Sequence, residues 1–278
     1  MFQEFGIEPL ETRTLLSTVL RSGSTLRVGG DAGVKNQITL RMAADGDSIA
    51  VTINGATQVV TTDDLDKIRI AGAELDDTIR IQETLNEFDI TCSIEGLAGN
   101  DFIVCGGAND FVYGGDGHDT VRLGNGRNKA YGEAGNDHLT GGDGRDLLVG
   151  GAGHDQLEGG DARDEITGDN GNDVLYGGDD ADLLIGGRGN DLVFGDAGRD
   201  VLIGNTGADT MFGGTDHDEL FGNEDNDVLS GDAGRDSIWG GAGSDRISQG
   251  KGGGFTDHGE LENFETYMKE VLPDTEAE

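Results

Sequence analysis

The chain has 278 residues, with 55 Asp and Glu against 19 Lys and Arg, a formal charge of −36, and 51 glycines. So acidic a chain excludes nucleic acid and disfavours anionic membranes, both of which need a basic face, and no run of 18 apolar residues is present to span a bilayer. Aromatic residues make up 5% and the mean hydropathy is −0.41, a composition that stays disordered unless a periodic pattern organises it.

Residues 1–21 lack the basic start and apolar stretch of a cleaved secretory signal. The segment IEPLETRTLLS (7–17) resembles the short LEPRxLLS-type motif at the N-terminus of some bacterial surface or exported proteins. That resemblance implies export; a plain tail is the alternative. Residues 22–95 then read as β-rich. Apolar residues alternate in 25–28, 37–42, 48–53, 67–70 and 78–81. The pairs Ile68/Ile70 and Ile79/Ile81 are 11 residues apart, and Ile90 follows at the same interval. This spacing predicts irregular coils leading into the next region, with a separate small sandwich as the alternative. Cys92 and Cys105 are the only cysteines, either a bonded pair or two inert thiols.

From Gly96 to Ser248 the chain falls into 17 nine-residue units without an insertion, as in GGDGRDLLV (141–149) and GGRGNDLVF (186–194). Position one is Gly except at Cys105 and Leu123; position six is Asp except at Asn128; position eight is always apolar. Glycine at positions one, two and four is expected to allow positive φ in a tight turn. Positions seven to nine have strand composition, with one inward apolar residue between two outward ones. Two units make a coil of 18 residues, so unit i stacks on unit i+2. These GGxGxDxUx units resemble the hemolysin-type calcium-binding (RTX) repeats of secreted bacterial proteins. The resemblance implies an all-β fold, a right-handed parallel β-roll with calcium ions between stacked turns.

The residues themselves support a cation. Stacking brings the position-six carboxylates of successive coils together, where like charges repel and raise pKa values. Calcium takes six to eight oxygens and accepts carboxylates together with backbone carbonyls. Zinc prefers sulfur and nitrogen in tetrahedral geometry, and magnesium dehydrates reluctantly. Hydrogen bonding of each Asp to turn amides alone is the competing account. The candidate ligands are Asp101, Asp119, Asp137, Asp155, Asp173, Asp191, Asp209, Asp227 and Asp245 on the odd-numbered units. Asp110, Asp146, Asp164, Asp182, Asp200, Asp218 and Asp236 are those on the even-numbered units. Odd units keep Gly at position four except at Asp225, whereas even units carry Ala108, Ala162, Asp180 and Asp216 there. The odd edge is therefore expected to be the regular calcium ladder and the even edge to weaken near Asn128 and Ala162. Roughly fifteen gaps, each filled by one calcium ion, would bring about +30 against the chain's −36.

Even units also align Arg127, Arg145, Arg163, Arg199 and Arg235 at position five. These read either as an anion or acidic-glycan groove or as neutralisers of nearby carboxylates. At position nine the even units run Tyr113, Tyr131, Val149, Thr167, Ile185, Ile203, Phe221 and Trp239, an outward apolar stripe that predicts a partner surface. Ordinary strand propensity is the competing account.

In residues 249–278 the repeat decays, and Leu261, Phe264, Met268, Val271 and Leu272 mark one face of a predicted helix ended by Pro273. Such a helix would cap the roll; the family resemblance also implies that this end can carry a type I secretion signal. No HExxH or GxSxG motif occurs, and four of the five histidines (His118, His138, His154, His217; the fifth is His258) lie inside repeats. The sequence thus predicts a non-enzymatic, calcium-binding structural or binding module, secreted or on a bacterial surface. The alternatives are an adhesin or matrix protein that binds a glycan or protein, and a non-catalytic accessory part of a secreted enzyme.

Overall fold

A computed structural model describes residues 18–82 and 90–257 of the chain. Every regular element among these residues is a β-strand, and the strands sort into two 13-stranded sheets. From Thr91–Ala98 onward each strand pairs in parallel with the strand one coil later. Val112 lies beside Ala130, which lies beside Leu148; in the other sheet Val121 lies beside Leu139 and Leu139 beside Leu157. Each step is 18 residues. One sheet, the even sheet, takes positions seven to nine of the even units and runs on into the next turn, as in Phe111–Asp116, Leu183–Arg188 and Ser237–Ala242. The odd sheet takes those of the odd units, from Phe102–Val104 to Arg246–Ser248. The expected all-β roll with 18-residue coils is what the chain forms.

Strand periodicity explains the interior. Position eight points inward, and Ile103, Val121, Leu139, Leu157, Leu175 and Leu202 are fully buried in one continuous cluster. One aliphatic side chain per nine residues makes this core a thin column, so the turns at the two edges carry much of the structure.

Residues 18–82 enter the same two sheets. Thr25–Gly29 and Lys67–Ala73 extend the even sheet in parallel, and Gln37–Met42 and Thr78–Ile81 extend the odd sheet. All five strands expected here form. Two more appear as antiparallel additions: Thr18–Ser22 on Thr25–Gly29, and Ala56–Thr61 on Ser48–Ile53. The second is a hairpin whose turn, Asn54-Gly55, has positive φ at both residues, the geometry of a type I′ turn. Ile68/Ile70 lie in the even sheet and Ile79/Ile81 in the odd sheet, both continuous with the roll.

The glycine expectation needs one correction. Positive φ occurs at positions two and four, as at Gly115 (114°) and Gly117 (141°), but not at the position-one glycines such as Gly114. Position one excludes a side chain for a steric reason: a Cβ on Gly114 would collide with Asp119 Oδ2 and press on the Gly132 carbonyl. The capping helix expected over 261–272 and the export-type motif at 7–17 lie outside the described residues. No helix occurs among those described, and none is long and apolar enough to cross a membrane.

Candidate calcium-binding edges

The turns place the 16 predicted aspartates on two edges of the roll, nine on one and seven on the other, and each edge is a ladder. The Oδ1 of each Asp accepts the backbone N–H of the position-six residue one coil earlier. On the odd edge Asp119 accepts from Asp101, Asp137 from Asp119 and Asp155 from Asp137, at 2.7–2.8 Å. On the even edge Asp164 accepts from Asp146 and Asp182 from Asp164, both at 2.7 Å. The bond crosses between coils, so the side chain braces a stack and does more than close its own turn.

The second oxygen has no such partner. All 16 predicted aspartates hold a buried Oδ2 that meets no donor. An unmatched buried oxygen on a charged group is costly, and it recurs along both edges in a form that a cation would satisfy. The Oδ2 atoms converge with carbonyls of the next coil in the space where position-one glycine lacks a Cβ, as Asp137 Oδ2 and the Gly150 oxygen do at Gly132. Among the described residues no three His, Cys, Asp or Glu side chains surround one point. Side chains alone therefore cannot complete the six to eight oxygens that calcium takes, and turn carbonyls must supply the others. A donor set of oxygens only, with no sulfur or imidazole, fits calcium.

Burial has a large electrostatic effect. Desolvation pushes Asp137, Asp164 and Asp209 up to about 7, Asp155 and Asp191 to about 6, and Asp200 to about 8. Neighbours one coil away add to the rise: Asp191 and Asp227 raise Asp209, and Asp218 and Asp182 raise Asp200. Hydrogen bonds from the preceding coil oppose it but are too weak to restore an ordinary carboxylate. Asp245, at the end of the odd edge, is only half-buried.

The ladder also extends beyond the regular repeats. Asp77 is buried, its amide donates to Asp101 Oδ1, and its own Oδ1 accepts the Asn36 amide. Its Oδ2 is unmatched like the others. The sequence signal is GAELDDTIR (72–80), with Gly72, Asp77 and Ile79 at positions one, six and eight. Its coil has 24 residues where those of the regular repeats have 18, so a search in strict register passes over it. Asn36 ends this edge with an uncharged side chain that also donates to Asp77.

The even edge begins differently. Its first rung runs from the Cys92 amide to Asp110 Oδ1, and Cys92 and Cys105 are free, buried thiols with pKa values raised by burial. Leu123 fills position one and is fully buried. Asn128 keeps the ladder bond, accepting from Asp110, but its Nδ2 donates to the Gly124 carbonyl where an Asp would hold an unmatched oxygen. Ala162, at position four, is held at φ 74°, a left-handed conformation that costs a residue with a Cβ about 1 kcal/mol or more.

Position five forms a second ladder on the odd edge that the repeat pattern alone did not assign. Here the side chain accepts from the coil after it: His118 N–H to Asn100, Asn136 N–H to His118 Nδ1, His154 N–H to Asn136 and Asn172 N–H to His154 Nδ1. Asn and His alternate because both present an acceptor at that reach. Arginine has no acceptor, so on the even edge Arg127, Arg145, Arg163, Arg199 and Arg235 point outward and are exposed. The single ion pair among the described residues joins Lys35 and Asp76. Arg145 and Arg163 act at longer range, holding Asp164 and Asp182 below where burial alone would put them.

A parallel solenoid of 18-residue coils whose edges stack half-satisfied carboxylates is a β-roll of the cation-binding kind. Comparison with known families makes this specific. Residues 93–121, 122–157, 158–193, 185–220, 194–229 and 221–255 match the RTX calcium-binding nonapeptide repeat (4 copies). These segments cover more than half of the chain, and the chain belongs to that family. RTX nonapeptide repeats bind multiple Ca²⁺ ions, and the repeat solenoid is a structural, non-catalytic kind of domain. Comparison with curated proteins yields no match.

Proposed function

We propose that calcium ions held between successive turns convert the acidic repeat region from a self-repelling chain into the ordered roll, and that the protein works outside the bacterial cell as a calcium-folded structural or binding module. The unmatched Oδ2 carried by every ladder aspartate supports this reading most directly. Each ion would be held by the aspartates of two stacked coils together with turn carbonyls, supplying positive charge that buried carboxylates otherwise lack. Asp77 joins the predicted ligands on the same grounds. The odd edge, unbroken from Asp77 to Asp245, is the regular ladder, and Asn128 interrupts the even edge. RTX repeat proteins are typically secreted by bacteria, and millimolar calcium outside the cell suits sites of the extracellular class, with Kd about 10⁻⁴–10⁻³ M.

The test is far-UV circular dichroism and calorimetry on the full chain, first in chelator and then through a calcium titration at neutral pH. Cooperative gain of β-structure with several ions bound is expected. A folded spectrum that is the same in chelator and in calcium would refute the reading.

An adhesin role is the second reading, and the exposed arginines of the even edge, which form no ion pair among the described residues, favour an acidic glycan as its ligand. Loss of glycan-array binding in an Arg145/Arg163/Arg199 triple Ala variant that still folds with calcium would support it. Absence of binding by the folded wild-type protein would remove it.

A further inference from the structure

The outer face of the even sheet is interrupted where the regular repeats begin. Two rows of outward positions cross its strands there: Glu95, Tyr113 and Tyr131 in one, and Leu97, Gly115 and Glu133 in the other. Gly115 leaves a gap in the second row, and the Leu97 carbonyl lies where its Cβ would be. The gap is an open pocket of about 410 Å³, floored by Gly114 and Gly115 and walled by Glu95, Leu97, Tyr113 and Glu133, all four exposed. Tyr131 stacks on one face of the Tyr113 ring, with centroids 5.2 Å and planes 10° apart, so the other face turns toward the strand that carries Glu95. Leu97 and Glu133 are held at positive φ, 83° and 74°. In the later coils the same row has only Gly, Asn or Asp at such angles, residues that tolerate them. The backbone thus bears a strain to set an apolar and an acidic side chain at the two ends of the gap.

We propose that this pocket binds a linear aliphatic diamine. One ammonium group would lie between the free face of the Tyr113 ring and the Glu95 carboxylate, attracted by the π electrons of one and the charge of the other. Glu133 would take the second ammonium, and the methylenes between them would cover Leu97 and the glycine floor. The spacing selects this ligand. Glu95 and Glu133 stand two strands apart, about 10 Å across the sheet, which is too far for both to hold one metal ion. Among the described residues no three His, Cys, Asp or Glu side chains surround one point. Neither carboxylate has an ion-pair partner among those residues, and Lys129, two residues before Tyr131, is turned over the Phe111 ring at 5.7 Å. A ligand with one charge would leave one carboxylate unmatched. The chain's charge of −36 draws cations of every kind; the ring, the gap and the carboxylate spacing supply the selectivity. None of the walls is a ladder aspartate, so the site is separate from the calcium edges.

The test is isothermal titration calorimetry of the full, calcium-saturated chain with cadaverine, and with pentylamine as the control of equal length and one charge. Physiological salt screens unspecific attraction, and far-UV spectra confirm the roll in each variant. Expected is one saturable cadaverine site per chain, weakened tenfold or more in Glu95→Gln/Glu133→Gln and severalfold in Tyr113→Ala, with calcium stoichiometry unchanged. Pentylamine should bind at least tenfold more weakly than cadaverine. Glu133→Gly, which removes the strained side chain, should also weaken cadaverine binding while raising the denaturant midpoint, so that lost binding is separated from a damaged fold. Equal binding by wild type and the double Gln variant would overturn the proposal, because the diamine would then be a counter-ion to the whole chain. Unchanged binding in Tyr113→Ala, or no saturable site in wild type, would overturn it as well. A roll that forms equally in chelator refutes the calcium reading alone, and the same titration without calcium then decides this one.

Discussion

Acid should substitute for calcium. The buried aspartates of the metal-free roll hold protons more tightly than those of the unfolded chain, whose carboxylates titrate near 3.8. Their contribution to stability is therefore complete below about pH 4 and is lost as pH rises through the folded values of about 6 to 8. A carboxyl raised to about 7 favours the folded state by about 2–3 kcal/mol more at pH 5 than at pH 7.5. Four or five such groups equal the roughly 5–15 kcal/mol that holds a whole domain together, and the ladders contain more than that. The chelated chain should consequently be largely unfolded at pH 7.5 and gain β-structure at pH 5.0, which stays above its pI of about 4.1. Circular dichroism in chelator across this range is the assay. Calorimetry in buffers of different ionisation enthalpy should also show protons released as calcium binds near pH 6.5 and fewer at pH 8.5. A chelated spectrum that is the same at pH 5.0 and 7.5 would refute the reasoning, whether folded or unfolded at both.

Asn128→Asp would restore an unmatched oxygen between Asp110 and Asp146; we expect one or two more calcium ions per chain by calorimetry and a less stable roll in chelator. Gly132→Ala should raise the calcium midpoint severalfold and destabilise the loaded roll by about 2 kcal/mol or more, because its Cβ meets Asp137 Oδ2 and the Gly150 carbonyl. Asn136→Ala removes the acceptor for the His154 amide and should cost about 1 kcal/mol in denaturant midpoints, whereas Asn136→His, which keeps an acceptor, should be nearly neutral. Leu175→Ala, in the middle of the core column, should cost about 2–5 kcal/mol.

The roll and the 16 aspartates were legible because both are periodic. A residue such as Leu148 announces its place through its neighbours at nine-residue steps, and the alternation of apolar residues located Gln37–Met42 and Thr78–Ile81 as strands. What escaped was aperiodic or cooperative. Asp77 lies in a lengthened coil, so its unit falls out of register although its own nine residues fit. Ala56–Thr61 lacks clear alternation, and the signal that could have found it is the Asn54-Gly55 turn before it. Position-one glycine looked like a turn residue because sequence cannot show that a neighbouring coil's carbonyl occupies the space of its side chain. The position-five ladder needs two coils to exist at all, so Asn100 and His118 carry no sign of it individually.

The uniformity of the coils has one further consequence. A chain that misaligned by one whole coil would still set glycine on glycine, aspartate on aspartate and one aliphatic residue on another, so most of the roll cannot distinguish the correct alignment from its neighbour. The exceptions can. Asn36 and the 24-residue coil at Asp77 occur once, as do Cys105, Leu123 and Asn128, and nearly all of them lie toward the N-terminal end. These irregular coils act as an index from which the remaining turns are counted. Their departures from the consensus give the repeat array a single starting point.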